Sequence, residues 1–272
     1  MSIRSLFEDR DIIAYVEENR ERRATPPWVF VHVPEAISAS FREQLADALQ
    51  PDYMVTLTGT ERGGNYDEKV QDAVRTFCEA DDFQRARLIT GHFKAFQLDS
   101  VDAMKNAHRL TMLRDPVDRL LSDFKAQSEP KAITAPGFLE FAKKPMNQNV
   151  FLQYLCPKNL WKPKDCTEYM LDRYSFIGSW EDANLSLKMF YSLLGMRGNL
   201  KLVEPDTTAK SPLQRSDLPP DLVRTAARLN GADYEIYRFF HDRFIALKEK
   251  FFELNDYGRM FRQMPPAAQE RH

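Results

Sequence analysis

Cysteine is scarce in this sequence of 272 residues, which contains three: Cys78, Cys156 and Cys166. That number is too small for a disulfide scaffold. Cys156 and Cys166 bracket a short loop and could pair, although free thiols are the expected state in a reducing cytosol. Long apolar runs are also lacking, since no stretch approaches the ~20 residues that a membrane-spanning helix needs.

An excess of charge of one sign is lacking as well. The chain has 38 Lys and Arg against 40 Asp and Glu, a formal net charge of -2. This balance excludes a general polyanion-coating protein, because such proteins show a strong basic excess, but it is compatible with a local basic cleft. Residues 1–23 carry charges throughout and lack the apolar core of a signal peptide. We therefore expect a cytoplasmic protein with no membrane span and no nucleic-acid partner.

Short apolar runs alternate with amphipathic segments along the chain, which is typical of an α/β domain. Apolar residues make up 43% of the chain and charged residues 29%, as in ordinary globular proteins. Residues 1–25 are predicted to form a helical extension, residues 26–257 an α/β domain with a helical second half, and residues 258–272 a disordered tail. We expect a three-layer, doubly wound domain with a mostly parallel sheet.

Strands are predicted where short apolar runs end at turn-forming residues, and helices where apolar residues recur at helical spacing. The predicted strands cover residues 28–33, 53–58, 87–90, 109–113, 175–178 and 200–203. The predicted helices cover residues 3–20, 38–49, 67–80, 136–143, 147–155, 181–194 and 221–252, the last range being divided near Asn230. Residues 59–65, 157–165 and 205–218 are predicted to be loops.

The segment TMLRDPVDRLLSDF, residues 111–124, is the most informative stretch. It predicts a buried strand, a turn at Asp115-Pro116 and a helix, with Arg114 at the strand's end and Ser122 on the helix. A planar guanidinium binds oxyanions bidentately and a hydroxyl adds a second donor, so this pair suits a phosphate. The alternative is a structural Arg114–Asp115 ion pair with Ser122 as an ordinary surface residue.

A second strand–turn–helix segment, residues 28–41, lacks what a phosphate loop normally carries. Such a loop has glycines and a lysine, but the turn here has Glu35, Ala36 and Ile37. Ligands of α/β sheets bind beyond the carboxyl ends of the strands, where His92 also follows a predicted strand. We therefore expect Glu35, His92 and Arg114 to converge on one cleft.

The ordered segments resemble the carbohydrate sulfotransferase family, in particular the branch that includes heparan sulfate 2-O-sulfotransferases and related bacterial proteins. The resemblance runs from about Trp28 to Phe252. It rests on FVHVP (30–34), ITGHF (89–93), TMLRDPVDRLLSDF (111–124), NQNVFLQYLC (147–156), FIGSWED (176–182) and ADYEIYRFF (232–240). It implies a P-loop-like α/β fold and transfer of a sulfuryl group from 3′-phosphoadenosine-5′-phosphosulfate (PAPS) to a sugar or similar hydroxyl, without a metal.

The resemblance also implies roles for individual residues. His92 matches the histidine proposed as the family's general base, and a neutral imidazole suits that role near neutral pH. His32 is expected to be structural because it lies inside an apolar run. Arg114 and Ser122 would bind the 3′-phosphate. The remaining residues assigned to the nucleotide are Ser38 and Ser40 in the first loop, and Lys210 beside Thr207 and Thr208.

The first loop departs from the family pattern. The family normally reads Pro-Lys-Thr-Gly-Gly/Ser-Thr-Ser, whereas residues 34–40 read PEAISAS. Glu35 at the lysine position reverses the charge expected to neutralise the 5′-phosphosulfate, and a charge pair at ~4 Å is worth about 4 kcal/mol at an effective dielectric of ~20. Ile37 also replaces a glycine where close backbone approach is useful.

Three hypotheses are compatible with this loop. The chain could be an active sulfotransferase in which Arg42, or a residue of the Arg62-Gly63-Gly64 loop, replaces the lysine. It could be a non-catalytic protein of the same fold that binds a sugar, a nucleotide fragment or a protein. It could use a less anionic donor. Residues 157–165, with three lysines around Trp161, are predicted either to contact an anionic sugar or to form a solvated loop.

Overall fold

The computed structural model describes residues 3–9, 11, 14–15, 27–54, 66–128, 133–193 and 213–253, with the backbone alone for residues 192–193 and 249–253. Several predictions fall outside these residues: the strand at 200–203, the loop at 59–65 with Arg62, most of the loop at 205–218 with Lys210, and the tail. No helix in the described part of the chain is long and apolar enough to cross a membrane.

In the described part of the chain, a parallel sheet of five strands forms the centre of the fold, which confirms the predicted α/β class. The order across the sheet is β2-β3-β1-β4-β5. All four residues of β1 are buried, as expected of a parallel strand covered by helices on both faces. The strands are Trp28–Val31 (β1), Asp52–Met54 (β2), Leu88–Gly91 (β3), His108–Leu113 (β4) and Tyr174–Ser179 (β5).

Helices connect and cover these strands. The first six helices in the described residues are Arg4–Phe7 (α1), Ala39–Ala48 (α2), Tyr66–Glu79 (α3), Asp81–Arg85 (α4), Ala95–Asp99 (α5) and Pro116–Gln127 (α6). The following six are Ala135–Lys143 (α7), Val150–Leu155 (α8), Pro163–Arg173 (α9), Ala183–Leu193 (α10), Pro220–Leu229 (α11) and Gly231–Glu253 (α12). The predicted division of the last region near Asn230 is confirmed.

Two predictions about helices are wrong. The helix expected over residues 3–20 is not continuous, because α1 ends at Phe7 and Asp11 then accepts a hydrogen bond from the Ala14 amide at 2.9 Å, which starts a new turn. The predicted loop at 157–165 contains a short 3-10 turn and the start of α9. Pro163 occupies the first turn of α9, where proline is tolerated because its missing N–H is not needed.

Two of the segments that carry the family resemblance meet at a reciprocal pair of helix caps. Asn149 has a left-handed backbone, with φ 49°, and its side-chain oxygen accepts from the amides of Ala232 and Asp233 at 3.1 and 3.2 Å. The Asp233 carboxylate accepts in return from the amides of Phe151 and Leu152 at 2.9 and 3.0 Å. Each helix start, α8 and α12, is therefore satisfied by a side chain of the other.

Replacing Asp233 with alanine is expected to destabilise the fold by about 1–3 kcal/mol, because two buried amides lose their acceptor. Asp233 is fully buried, and burial raises the pKa of its carboxyl to about 6. Urea unfolding measures the change. Asp221→Ala is the control, since Asp221 lies in the first turn of α11 with 90% of its side chain exposed. An equal loss in the two variants would contradict the capping role of Asp233.

The strand order defines where a ligand can bind. The connection that follows β1 leads to β2, towards one edge of the sheet, and the connection that follows β4 leads to β5, at the other edge. Adjacent strands whose connections diverge leave a crevice beyond their carboxyl ends. Strands β1 and β4 are such a pair, with Glu35 in the turn after β1 and Arg114 directly after β4.

Candidate functional site

Glu35 lies in direct contact with both residues assigned to a phosphate. Nη1 of Arg114 donates a hydrogen bond to the backbone carbonyl of Glu35 at 3.0 Å. The hydroxyl of Ser122 donates to Oε2 of the Glu35 side chain at 2.7 Å. The crevice between β1 and β4 therefore brings together a guanidinium, a hydroxyl and a carboxylate, which come from positions 79 and 87 residues apart in the chain.

Helix α6 presents Ser122 to this crevice. Asp115 caps the helix by accepting from the amides of Val117 and Asp118 at 2.9 and 3.2 Å, and Pro116 occupies the first turn. The apolar face of α6 packs in a cluster with α7 and α11, which fixes the helix against the sheet. The residues of this cluster on α6 are Val117, Leu120, Leu121 and Phe124.

The alternative prediction for Arg114 is an ion pair with Asp115, but the carboxylate of Asp115 binds other residues. That carboxylate is bound by Arg215 at 2.9 Å and by the hydroxyl of Tyr234 at 2.9 and 3.0 Å. Glu181, just past β5, accepts from the amide of Asp115 at 2.8 Å. The turn is thus held from two sides, and Arg114 is directed towards Glu35.

The guanidinium of Arg114 is largely enclosed by protein. Its carbon lies 5.9 Å from the centre of the Trp180 ring, within the range of a cation–π contact. Burial lowers the pKa of Arg114, whereas the charges of Asp118, Glu181 and Glu35 raise it. Three carboxylates and a second guanidinium, that of Arg119, therefore lie close enough to act on the charge of Arg114.

The loop after β1 is held in an unusual backbone conformation. Glu35 has φ 60°, a region that residues other than glycine enter only at a cost of roughly 1–2 kcal/mol. Arg114 binds its carbonyl, and Nη1 of Arg119 donates to the carbonyl of Pro34 at 3.3 Å. Ala36 and Ile37 are both buried in the main apolar core.

Arg119 is a site residue that the sequence reasoning missed. Its side chain is fully buried, and its ion pair with Asp123 spans 3.4 Å. Among the described residues, its Nε and Nη2 atoms have no hydrogen-bond partner. A buried arginine one turn before Asp123 on an otherwise apolar helix face is the sequence signal that could have identified it.

His92 follows β3 and is stacked against His32, which follows β1. The ring centres lie 4.5 Å apart with an angle of 25° between the ring planes. Nδ1 of His92 is 3.1 Å from the backbone carbonyl of His32, which can only accept a hydrogen bond. This contact assigns the proton of neutral His92 to Nδ1 and makes Nε2 the basic nitrogen. Burial, followed by the charges of His92 and Arg42, lowers the pKa of His32 to about 3, so His32 stays neutral.

Two described cations, Lys94 and Arg42, differ in whether a carboxylate already binds them. Lys94 is paired with Asp67 at 2.7 Å, and 19% of its side chain is exposed. Arg42 lies on the His32 side of the crevice, with Nη1 4.0 Å from the sulfur of Met54. The role of Arg42 as a substitute for the missing lysine stays a prediction.

The other residues assigned to the nucleotide are in different situations. Ser38 is buried and caps α2, accepting from the Phe41 amide at 3.4 Å. The hydroxyl groups of Ser38 and Ser40 lie 2.9 Å apart. Their contact with a nucleotide stays a prediction. Lys210, Thr207 and Thr208 lie outside the described residues.

The three cysteines are free thiols, with Cys156 and Cys166 both buried.

Comparison with family models gives a match to the model described as the sulfotransferase family, over residues 27–240. The matched range contains all five strands and both halves of the crevice. Searches of curated proteins and of solved structures found no match.

Proposed function

Because the chain belongs to the sulfotransferase family, we propose that it transfers a sulfuryl group from an adenosine phosphosulfate to a hydroxyl of a carbohydrate or similar acceptor. PAPS is the donor that the family generally uses. The observation that carries the proposal is the convergence of Arg114 and Ser122 on the crevice between β1 and β4. His92 lies at the carboxyl end of the adjacent strand β3.

The chemistry requires positioning and charge neutralisation more than a covalent intermediate, by analogy with phosphoryl transfer. The acceptor oxygen bonds to sulfur while the bond from sulfur to the nucleotide's phosphate oxygen breaks, and the nucleotide leaves with the electron pair. Nε2 of His92 takes the proton of the acceptor hydroxyl. Arg42 stabilises the charge that develops on the leaving phosphate, in place of the family's lysine.

A surface for an anionic sugar is part of the proposal. Trp161 is 39% exposed, and Nζ of Lys158 lies 5.9 Å from the centre of its ring. An exposed aromatic face with neighbouring cations is suited to a sulfated or carboxylated sugar ring. Lys162 and Lys164 flank the start of α9 and add charge of the same sign.

Arg114→Ala is expected to weaken adenosine nucleotide binding by ~1.5–3 kcal/mol, the range for hydrogen bonds to charged groups. Two effects contribute to the weaker binding. The variant loses a hydrogen-bond donor to the ligand, and it loses the contact that holds the Glu35 carbonyl. Calorimetric titration of the intact protein with adenosine 5′-phosphate and adenosine 3′,5′-bisphosphate measures the change.

Arg85→Ala is the matched control, because Arg85 is exposed, is paired with Asp82 and is distant in sequence from Glu35 and Arg114. It should bind nucleotide as the parent does. If the parent gives no heat with either nucleotide at millimolar concentration, the non-catalytic alternative gains and the proposed function fails. The observation that favours this alternative is the carboxylate of Glu35 at the phosphate-binding pair.

A further inference from the structure

We infer that Glu35 determines donor specificity, so that the crevice selects an adenosine nucleotide with a free 3′-hydroxyl over one with a 3′-phosphate. The donor is then adenosine 5′-phosphosulfate. The inference rests on the proposed function, because it takes Arg114 and Ser122 as the residues that face the ribose 3′ position. It concerns a different question, namely which adenosine phosphosulfate fits.

Glu35 occupies the donors that a 3′-phosphate would need. Ser122 has one hydroxyl proton, and it points to Oε2 of Glu35 at 2.7 Å. Nη1 of Arg114 is directed to the carbonyl of the same residue at 3.0 Å. A phosphate could use the remaining N–H groups of Arg114, but it would have to take the Ser122 proton from the Glu35 carboxylate. A ribose hydroxyl would not, because it can donate to the carboxylate that is already in place.

The charges favour the hydroxyl as well. A 3′-phosphate bound to Ser122 would lie close to the Glu35 carboxylate, and like charges in such close contact repel each other. Arg114 offsets part of this repulsion, while Asp118 and Glu181 add negative charge around the same guanidinium. Dinucleotide enzymes make the same distinction, with an acidic residue for a ribose hydroxyl and an arginine for a ribose phosphate.

The loop keeps the carboxylate in this position. The carbonyls of Pro34 and Glu35 are each bound by an arginine, at 3.3 and 3.0 Å. The residues that follow, Ala36 and Ile37, are anchored in the core. Rotation of the Glu35 backbone would therefore break two charge-assisted hydrogen bonds. The backbone from which the carboxylate reaches Ser122 is thus held by two arginines.

The reaction with this donor is balanced. The acceptor oxygen forms a bond to sulfur, and the bond between sulfur and the 5′-phosphate oxygen breaks. Adenosine 5′-phosphate leaves with the electron pair, and the acceptor's proton goes to Nε2 of His92 and then to solvent. The products are a sulfate ester and adenosine 5′-phosphate, with no further reactant.

The test compares two nucleotides in three proteins. Adenosine 5′-phosphate and adenosine 3′,5′-bisphosphate are titrated into the parent, Glu35→Gln and Glu43→Gln. We expect the parent to bind the monophosphate at least about tenfold more tightly, which corresponds to only part of one charge repulsion. Glu35→Gln keeps the size and removes the charge, so its preference should fall by about tenfold or reverse. Glu43 is exposed on α2, and its variant should match the parent.

A parent that binds the bisphosphate more tightly overturns the inference and leaves the proposed function standing. So does a Glu35→Gln protein whose preference equals that of the parent. A parent that binds neither nucleotide overturns both. The parent's preference is informative even if Glu35→Gln does not fold, and thermal melting of each variant establishes which case applies.

Discussion

Replacing His92 with glutamine is expected to lower the rate of sulfuryl transfer by roughly 10²–10⁴-fold, the contribution typical of a general base. The contact of Nδ1 with the His32 carbonyl makes Nε2 the proton acceptor, and glutamine has no basic nitrogen. Nucleotide affinity should change little, because the residues proposed to meet the ribose 3′ group, Arg114 and Ser122, are unchanged. The measurement is kcat for transfer of labelled sulfate, alongside calorimetric binding.

His108→Gln serves as the control for this prediction. His108 begins β4 at the amino end of the sheet, and its ring packs against that of Trp28 with the ring centres 4.9 Å apart. Its replacement should leave kcat close to that of the parent. A His92→Gln protein that keeps a third of the parental rate would show that another group, or solvent, takes the proton.

Asp99→Ala is expected to reduce the free energy of unfolding by ~3–5 kcal/mol, the cost of leaving a buried charge without its partner. Arg109 on β4 is fully buried, with Nη2 2.7 Å from Asp99 and Nη1 2.7 Å from the hydroxyl of Tyr169. Tyr169 donates in turn to Asp99 at 2.7 Å. Arg173 adds a longer contact to Asp99 at 3.2 Å. This network ties α5 and α9 to the sheet at the end opposite the crevice.

Denaturant unfolding tests the loss, with Asp72→Ala as the control. Asp72 is 70% exposed and paired with Arg75 within α3, and such surface pairs are worth about 0–1 kcal/mol. Asp99→Ala,Arg109→Met should recover part of the stability, because it also removes the unpaired charge. Equal losses from Asp99→Ala and Asp72→Ala would contradict the network.

The same network makes a prediction about pH. Burial raises the pKa of Asp99. The charge of Arg109 and the hydrogen bonds from Tyr169 and Arg109 lower it by more, so the pKa of Asp99 lies below its ordinary value. A carboxyl with a lowered folded-state pKa stabilises the fold fully above its unfolded-state pKa of ~3.9. This stability is lost as the pH falls through the lower, folded-state value. The difference between parent and Asp99→Ala should therefore shrink only in acid.

The sheet and most helices could be predicted from local patterns, because burial of parallel strands and helical periodicity both leave a direct trace in the sequence. The start of α6 is the clearest case, since Asp115 and Pro116 are strong helix-start signals and the structure uses both. Helix α9 was missed because its first residues are lysine- and proline-containing. Its buried side chains, such as Cys166 and Met170, lie further along.

Only the local part of the candidate site could be predicted from the sequence. Arg114 and Ser122 belong to one local motif, so their nearness follows from a strand, a turn and a helix. The contact of Ser122 with Glu35 spans 87 residues and depends on how two connections fold over the sheet. The sequence predicted that Glu35 acts on the 5′-phosphosulfate. The structure places its carboxylate on the hydroxyl of Ser122, a residue assigned to the 3′ end, and which end of a nucleotide Glu35 meets stays a prediction.

A crystal structure of the protein with adenosine 5′-phosphate bound tests the central claim most directly. The account predicts the ribose 3′-hydroxyl within hydrogen-bond distance of the Glu35 carboxylate and beside Ser122. It predicts the 5′-phosphate on the side of Arg42 and His92. A nucleotide bound at the amino end of the sheet, or one reversed so that its 5′-phosphate contacts Arg114 and Ser122, would contradict it.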